Sequence, residues 1–181
     1  MIFNSVAEIY EAIDGTRIHL KRRLAELTDE QKSTRADENG WSVAEIVEHL
    51  GTVENGVVRI GLKLLSEAEN SGALSSDGIF DPPISFVEQA RSIKDKKLQA
   101  PERVHPKGVQ SLEESYAKLD ENRRALAELR PRIETTDVSA PKFPHPFFGN
   151  LNLYQWLAVV AMHEARHLRQ IETILQETSA A

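Results

Sequence analysis

Three segments of the sequence begin with the same capping signal, and apolar residues at helical spacing follow each one. The signal is a serine with a glutamate three residues later, an arrangement in which each side chain satisfies a backbone N–H group at the start of a helix. These signals predict three helices, from Ser5 to about Leu27, from Ser42 to about Glu67, and from Ser111 to about Arg130, where Pro131 follows.

A fourth helix is predicted from Asn152, which pairs with Gln155 in a weaker version of the signal, to about Glu177. Residues 28–40 form a short polar connection, whereas residues 68–110 form a long crossover in which Ile84 to Leu98 could hold a further helix. No strand pattern or internal repeat stands out. The sequence therefore predicts an all-α fold, a four-helix bundle with a long crossover between helices 2 and 3, as one domain over residues 1–181.

Composition narrows the classes of function. The chain has 181 residues, a net charge of -6 and no cysteine. The acidic balance argues against nucleic acid as a partner, and the lack of cysteine excludes disulfides, thiolate metal ligands and a cysteine nucleophile. Neither a signal peptide nor an apolar run of membrane-spanning length is evident, so we expect a cytoplasmic protein without a membrane partner.

The fourth helix has polar residues on its predicted buried face. That face contains Leu153, Trp156, Val160, His163, His167, Gln170 and Ile174, spaced by three and four residues. Polar side chains in a core are costly unless they have partners. A lone buried histidine is usually a hydrogen-bonded core residue, but two histidines at i and i+4 can both reach one metal ion.

His49 is the natural third ligand from outside this helix. It lies three residues after Ile46 and four before Val53 in the second helix, at or beside the buried face. The sequence therefore predicts a divalent metal site formed by His49, His163 and His167.

The stretch "HEARH", residues 163–167, also matches the H-E-x-x-H pattern of zinc proteases, in which the glutamate activates water. In the extended pattern a glycine and a third histidine follow, but Gln170 and Thr173 occupy those positions. Only 14 residues follow His167, too few for a glutamate ligand on a further helix. A protease is therefore disfavoured, and Glu164, about 100° around the helix from His163, is interpreted as a bystander.

Several stretches resemble the DinB/YfiT-like superfamily of metal-dependent proteins. They are "WSVAEIVEHL", "HPFFGNLNLYQWLAVVAMHEARHLRQI", "RVHPKG" and "SLEESYAKLDENRRAL", which together extend over nearly the whole chain. The resemblance implies a four-helix bundle with a divalent metal, zinc or nickel, on His49, His163 and His167. It also implies a thiol-dependent transferase or isomerase activity that uses bacillithiol or mycothiol, and frequent dimers.

Three neutral histidines would leave the full +2 charge on the metal, which would then be a strong Lewis acid with an open position. Our first expectation is a transferase in which a metal-bound low-molecular-weight thiolate attacks a small electrophile. The alternatives are a metal-dependent hydrolase of a small substrate, and a non-catalytic, stress-related protein whose metal ties two helices together. The expected partners are small molecules and, for a dimer, a second copy of the chain.

Further residues are candidates for supporting roles. Arg123 interrupts the apolar face of the third helix and could hold an anionic substrate group, although a surface arginine is the simpler reading. Gln170 could orient a ligand or contact substrate. Glu45 could bond the ring of His49, although its capping role already accounts for it. His145 could line the mouth of the site.

Overall fold

The computed structural model describes residues 3–74, Ser92 and residues 98–179. The elements named within these residues are five α-helices, a single turn of 3-10 helix (Glu102–Val104) and one hairpin. The helices are α1 (Val6–Ala25), α2 (Asp29–Ser33), α3 (Val43–Asn70), α4 (Leu112–Thr135) and α5 (Leu153–Ser179). The strands are β1 (Phe143–His145) and β2 (Gly149–Leu151). The four long helices confirm the predicted bundle, while the helix expected over residues 84–98 lies largely outside the described residues.

The predicted helix starts are confirmed at the level of their hydrogen bonds. Ser42 and Ser111 each form a complete capping box with a glutamate, and Ser5 accepts from the N–H group of Glu8. At the start of α5, the N–H group of Gln155 donates to Asn152 and the N–H group of Asn152 donates to the side chain of Gln155. Local sequence therefore sets where each long helix begins.

The predicted end of the third long helix was wrong. Instead of stopping near Arg130, α4 continues through Pro131 to Thr135. Proline removes one helical hydrogen bond. Continuation beyond Pro131 buries Ile133 completely, and burial of a large apolar side chain contributes about 1.5–3 kcal/mol, which offsets much of that loss.

The short helix α2 and the hairpin were missed by the sequence analysis. The short helix α2 begins with its own capping box, formed by Thr28 and Gln31. Residues Phe143 and Leu151 pair across an antiparallel hairpin, whose return strand begins at Gly149 with a φ of 69°. Strands of three residues are too short to give an alternating pattern, and the prolines of this segment also argue against strand formation.

Two apolar clusters fill the bundle. The first core cluster includes Ile13, Val57, Leu126 and Ala161, and the second core cluster includes Leu20, Leu50, Leu119 and Ile171. Along α1 and α5 the chain passes from the first cluster to the second, whereas along α3 and α4 it passes from the second to the first. Consecutive long helices α3 and α4 therefore run in the same direction, which requires the long crossover between them.

A layer of charged side chains separates the two clusters. We call it the ionic layer: Arg17 of α1, Glu54 of α3, Arg123 of α4 and Glu164 of α5, one residue from each long helix. In every helix this residue lies between the members that belong to the two clusters. Three of the four side chains are almost fully buried, and that of Arg123 is 12% exposed.

In the ionic layer each arginine binds both glutamates, and longer contacts join Arg17 to Asp120 at 3.9 Å and Arg123 to Asp14 at 3.4 Å. The guanidinium of Arg17 donates to Glu54 at 2.6 Å and to Glu164 at 2.9 and 3.1 Å. The guanidinium of Arg123 donates to the same two carboxylates at 3.1 and 3.0 Å. Burial raises the pKa of Glu54, and the charges of Arg123 and Arg17 oppose that rise. The carboxylates are thus compensated within the layer.

No helix in the part of the chain that the structure describes is both long enough and apolar enough to cross a membrane.

We expect the buried ion pairs of the ionic layer to contribute more to stability than the exposed ion pairs do. Glu164→Ala leaves two arginines without their shared partner, so we expect the free energy of unfolding to fall by about 3–5 kcal/mol. The matched control is Glu69→Ala, which removes an exposed pair with Arg132 and should change the free energy of unfolding little, because solvent screens exposed ion pairs. Urea unfolding of the metal-free proteins, followed by circular dichroism, measures both. Equal losses in the two variants would contradict the importance of the layer.

Candidate metal centre

Three histidine rings converge beside the ionic layer, on the side of the second core cluster. The Nε2 atom of His163 lies 3.2 Å from Nε2 of His49 and 3.1 Å from Nε2 of His167. His49 and His167 are buried, while His163 keeps partial contact with solvent. Helix α3 supplies the first ring and one turn of α5 supplies the other two, as the i, i+4 spacing predicts.

The other ring nitrogens fix the tautomers of two of these histidines. Nδ1 of His49 donates to the carbonyl oxygen of Val104 at 2.7 Å. Nδ1 of His167 donates to Oε1 of Gln170 at 2.8 Å. A neutral imidazole carries one proton, so Nε2 of His49 and Nε2 of His167 both present lone pairs to His163.

This arrangement fits a cation better than it fits hydrogen bonds alone. Nε2 of His163 carries at most one proton and can donate to only one of the two facing lone pairs. A metal ion held between the rings would accept all three lone pairs. Metal–nitrogen bonds of 2.0–2.1 Å in tetrahedral geometry place the nitrogens about 3.3 Å apart, close to the separations seen here.

The surroundings keep the three rings neutral, as metal ligands must be. Burial lowers the pKa of all three, and the neighbouring histidines lower those of His163 and His167 further. The pKa of His167 falls to about 3, although its hydrogen bond with Gln170 acts in the opposite direction. The Val104 carbonyl likewise opposes the fall at His49 without reversing it.

The C-terminal part of the crossover holds His49 in place. Next to His49, the buried carboxylate of Glu48 accepts the backbone N–H groups of Lys107 and Gly108, both at 3.0 Å. The ring of Trp41 lies 4.7 Å from that of His49 and 5.6 Å from that of His105. The segment that carries the Val104 carbonyl is therefore anchored on both sides of the histidine.

Two predicted supporting residues differ from expectation. Gln170 was placed on the buried face but is exposed, and it reaches the site through its hydrogen bond to His167. Glu45 was considered as a partner for the ring of His49, but its carboxylate accepts from the N–H group of Ser42 and from Arg35. The carbonyl of Val104 takes the place foreseen for Glu45.

Arg123 and Glu164 both belong to the ionic layer. Arg123 faces the bundle interior, but its guanidinium is held by Glu54 and Glu164, and its predicted contact with an anionic substrate group stays a prediction. Glu164 is not among the residues that could hold a metal ion, but it has a structural role. It is buried and accepts three of the hydrogen bonds of the ionic layer.

Each of the three polar residues that were predicted to lie beside the site, Gln170, Glu45 and His145, has a partner of its own. Beyond Gln170 and Glu45, His145 accepts the N–H group of Phe147 through its Nδ1 atom and stacks near Phe148 and Trp156. Burial lowers its pKa to about 4. Within residues 3–74 and 98–179, the histidine, aspartate and glutamate side chains that could together hold a metal ion here are the three histidines, and an ion bound to them would keep a coordination position for a small molecule.

Sequence reasoning missed three participants. Arg17 lies between Ile13 and Leu20, and Glu54 between Leu50 and Val57, at positions where the helical spacing requires an apolar residue. That signal could have found both. The Val104 carbonyl could not have been found, because a main-chain acceptor has no signature in the sequence.

Comparisons with known proteins agree with this architecture. The sequence model of the DinB superfamily matches residues 12–171, and the chain belongs to that superfamily. The chain is 24% identical over 166 residues to the uncharacterized protein YuaE of Bacillus subtilis, covering 91% of this chain and 96% of YuaE. It is 25% identical over 170 residues to the "Putative metal-dependent hydrolase GK0616" of Geobacillus kaustophilus, covering 93% and 83% of the two chains.

Two solved structures share the fold. The four-helix bundle protein TT2238 superimposes with a TM-score of 0.58 at 26% identity, covering 92% of this chain and 98% of TT2238. YfiT from Bacillus subtilis, described as a probable metal-dependent hydrolase with an unusual four-helix bundle topology, gives a TM-score of 0.60 at 21% identity, covering 96% and 87%.

The site predicts graded losses of metal affinity. His49→Ala removes a ligand, and we expect stoichiometric zinc or nickel to be lost on dialysis. Gln170→Ala removes only the acceptor that orients His167, so we expect affinity to fall about 10–100-fold. His19→Ala, on an exposed face of α1, is the control and should bind as wild type. Competition with a chromophoric chelator measures all three, and stoichiometric, tightly held metal in His49→Ala would refute the three-histidine site.

The lowered histidine pKa values predict acid sensitivity of the metal-free protein. His167 has a pKa of about 3 when folded and about 6.5 when unfolded. Below about pH 6.5 the unfolded chain therefore binds a proton that the folded chain does not, and stability falls as pH decreases toward 3. Urea midpoints at pH 7.5 and 5.0 test this. His167→Gln should reduce the difference between the two midpoints, and an unchanged difference would contradict the assignment.

Proposed function

We propose that the protein is a metal-dependent enzyme that activates a small nucleophile at the three-histidine site. The observation that carries the proposal is the convergence of three Nε2 atoms in a site to which no aspartate, glutamate or further histidine of the described residues contributes. A structural zinc site is normally closed by four protein ligands, whereas a catalytic one keeps a position open. We propose zinc as the first metal to test and nickel as the second, since imidazole ligands suit both.

The chain's own residues have separable tasks in this proposal. His49, His163 and His167 hold the cation through neutral nitrogens, so no ligand charge offsets its +2 charge. The Val104 carbonyl and Gln170 orient two of the rings. A divalent cation bound there is a Lewis acid that lowers the pKa of a water or thiol ligand. The partial exposure of His163 leaves a route for small molecules to reach the site.

Hydrolysis of a small substrate is the first candidate reaction. It is supported by the similarity to the "Putative metal-dependent hydrolase GK0616", which aligns with 93% of this chain. In this reaction water is the nucleophile and no second organic substrate is needed.

Thiol transfer to a small electrophile is the second candidate. It is supported by the all-nitrogen ligand set, which leaves the cation's charge available to a thiolate, and by the resemblance of the histidine-bearing stretches to thiol-dependent members of the superfamily. The chain contains no cysteine, so the sulfur would come from a low-molecular-weight thiol such as bacillithiol or mycothiol.

An experiment on the metal-loaded protein separates the two reactions. Small esters, amides and alkylating electrophiles are incubated in water enriched in oxygen-18, with and without a cellular thiol. Hydrolysis is expected to place the heavy isotope in the product and to proceed without thiol. Thiol transfer is expected to require thiol and to form a thioether or thioester, which mass spectrometry identifies.

The control variants assign any activity to the site. We expect His163→Ala to reduce turnover to background and His19→Ala to retain it. Turnover that persists in His163→Ala would contradict the proposal. Absence of both reactions in metal-loaded wild type, over the full substrate panel, would favour a non-catalytic metal-binding role instead.

A further inference from the structure

One of the three candidate ligands lacks the second partner that the other two have. A histidine that binds a metal through Nε2 carries its proton on Nδ1 and almost always donates it to a carbonyl, a carboxylate or a water. Nδ1 of His49 has the Val104 carbonyl as acceptor, and Nδ1 of His167 has Gln170. The hydrogen bonds of His163 with described residues are formed by its Nε2 atom. The Nδ1–H group of a metal-bound His163 therefore requires a further acceptor.

A small space between α3 and α5 adjoins the ring of His163. Its lining includes His163 but neither His49 nor His167, whereas Nε2 of His163 faces those two rings. The space therefore adjoins the part of the imidazole ring that is remote from Nε2, which is the part that carries Nδ1. About 10 Å³ is available there to the centre of a water molecule, which is room for about one water and for nothing larger.

The Nδ1 atom of His163 is also open to water. Among the described residues, Ser115 Oγ is the single side-chain nitrogen or oxygen that is both closed to water and without a hydrogen-bond partner. Nδ1 of His163 has no partner in the same part of the chain, so it must be accessible to water. A water in the neighbouring space would thus meet an N–H group that has no protein acceptor.

The same space offers acceptors to a water molecule. Apart from His163, its polar lining consists of Glu54 and Glu164, and its other lining residues are apolar. An ionised carboxylate accepts about four hydrogen bonds. Arginine N–H groups account for two on Glu54 and three on Glu164, so each carboxylate can accept another. Because a water is neutral, it leaves the charge compensation of the ionic layer unchanged.

We propose that one water molecule occupies this space, accepts the Nδ1–H group of His163 and donates to the carboxylates of Glu54 and Glu164. Three hydrogen bonds are typical of a buried water. The water does for His163 what Val104 and Gln170 do for the other two rings, and it connects the metal centre with the ionic layer. The inference rests on the proposed function for the metal, since binding of the metal through Nε2 is what places the proton on Nδ1.

Glu54 and Glu164 are positioning residues in this arrangement, because they act on the metal through the water and His163. A hydrogen bond from Nδ1–H toward a carboxylate orients the ring and raises the basicity of the ligating nitrogen. The loss of such an outer partner typically lowers metal affinity about 10–100-fold. We therefore expect the water at His163 to matter for metal binding about as much as Gln170 does at His167.

Substitution of valine by isoleucine fills the space without changing a polar group. Val160→Ile and Val57→Ile each add one methylene group to the lining, and two positions are used because added volume in a packed core is itself destabilising. The control Val138→Ile adds the same group at a fully buried position of the first core cluster. In competition with a chelator, we expect zinc to bind about 10–100-fold more weakly to the two filled variants, and as in wild type to the control.

The Nδ1–H resonance of His163 provides a readout that a general loss of stability would not move. In zinc-loaded protein with ¹⁵N-labelled histidine, we expect this proton to show a cross-peak with a long-lived water. In the filled variants its resonance should shift or disappear, while those of His49 and His167 stay in place. A high-resolution crystal structure of zinc-loaded wild type should contain a water within hydrogen-bond distance of Nδ1 of His163 and of a carboxylate oxygen.

The outcomes separate this inference from the proposed function. A zinc-loaded structure in which Nδ1 of His163 has a different partner, or in which no water lies in the space, would overturn the inference. Unchanged zinc affinity in both filled variants would overturn it as well, even where the water is displaced. A protein that shows the water and the loss of affinity but converts no substrate would support the inference and count against the proposed enzyme.

Discussion

Two arginines and two glutamates meet at the middle of this bundle, and each comes from a different long helix. Their ion pairs constrain how the four helices can be aligned along their axes. A displacement of any helix by one turn would move its charged residue into an apolar cluster and leave the other three without full compensation, a cost of several kcal/mol. Apolar packing alone is far more tolerant of such shifts, because cores accept many combinations of side chains of similar volume. The ionic layer therefore fixes helix register, while the two core clusters supply most of the stabilisation.

The ionic layer also determines which way the histidines of α5 face. Glu164 follows His163 in sequence and points about 100° away around α5, so the hydrogen bonds that hold Glu164 also fix the rotation of α5 about its axis. With that rotation fixed, His163 and His167 face α3 and meet His49. The "HEARH" stretch thus has a different meaning from the protease pattern that it matches, since its glutamate orients the helix and its two histidines form the candidate metal site.

The features that were predictable from sequence have a local or periodic cause. Capping boxes locate helix starts because both partners lie within one turn, and the stripe of α5 identified His163 and His167 because side chains four residues apart share a face. The pairing with His49 followed from the same periodicity on another helix. The continuation of α4 past Pro131 was not predictable in this way, since it depends on what Ile133 contacts in the folded protein. Gln170 was misplaced because the buried face at that turn of α5 passes through the neighbouring Ile171, which is fully buried while Gln170 is exposed.

The unpredicted part of the site has long-range causes. Arg17 and Glu54 were detectable as interruptions of apolar stripes, but a single interruption on each helix does not reveal that all four lie at one level. Only the directions of the helices, parallel for α3 and α4, bring the four interruptions together.

The end of the crossover is anchored to α3 mainly through its main chain, so its sequence can vary among related proteins without loss of these contacts. Val104 contributes a carbonyl to His49, and Lys107 contributes an N–H group to Glu48, so neither contact depends on the side chain at its position. Gly108 is different, because its φ of 67° strains any other residue. In an alignment of related proteins we therefore expect Glu48, His49 and Gly108 to be conserved. The main-chain contacts of Val104 and Lys107 would leave no such signature.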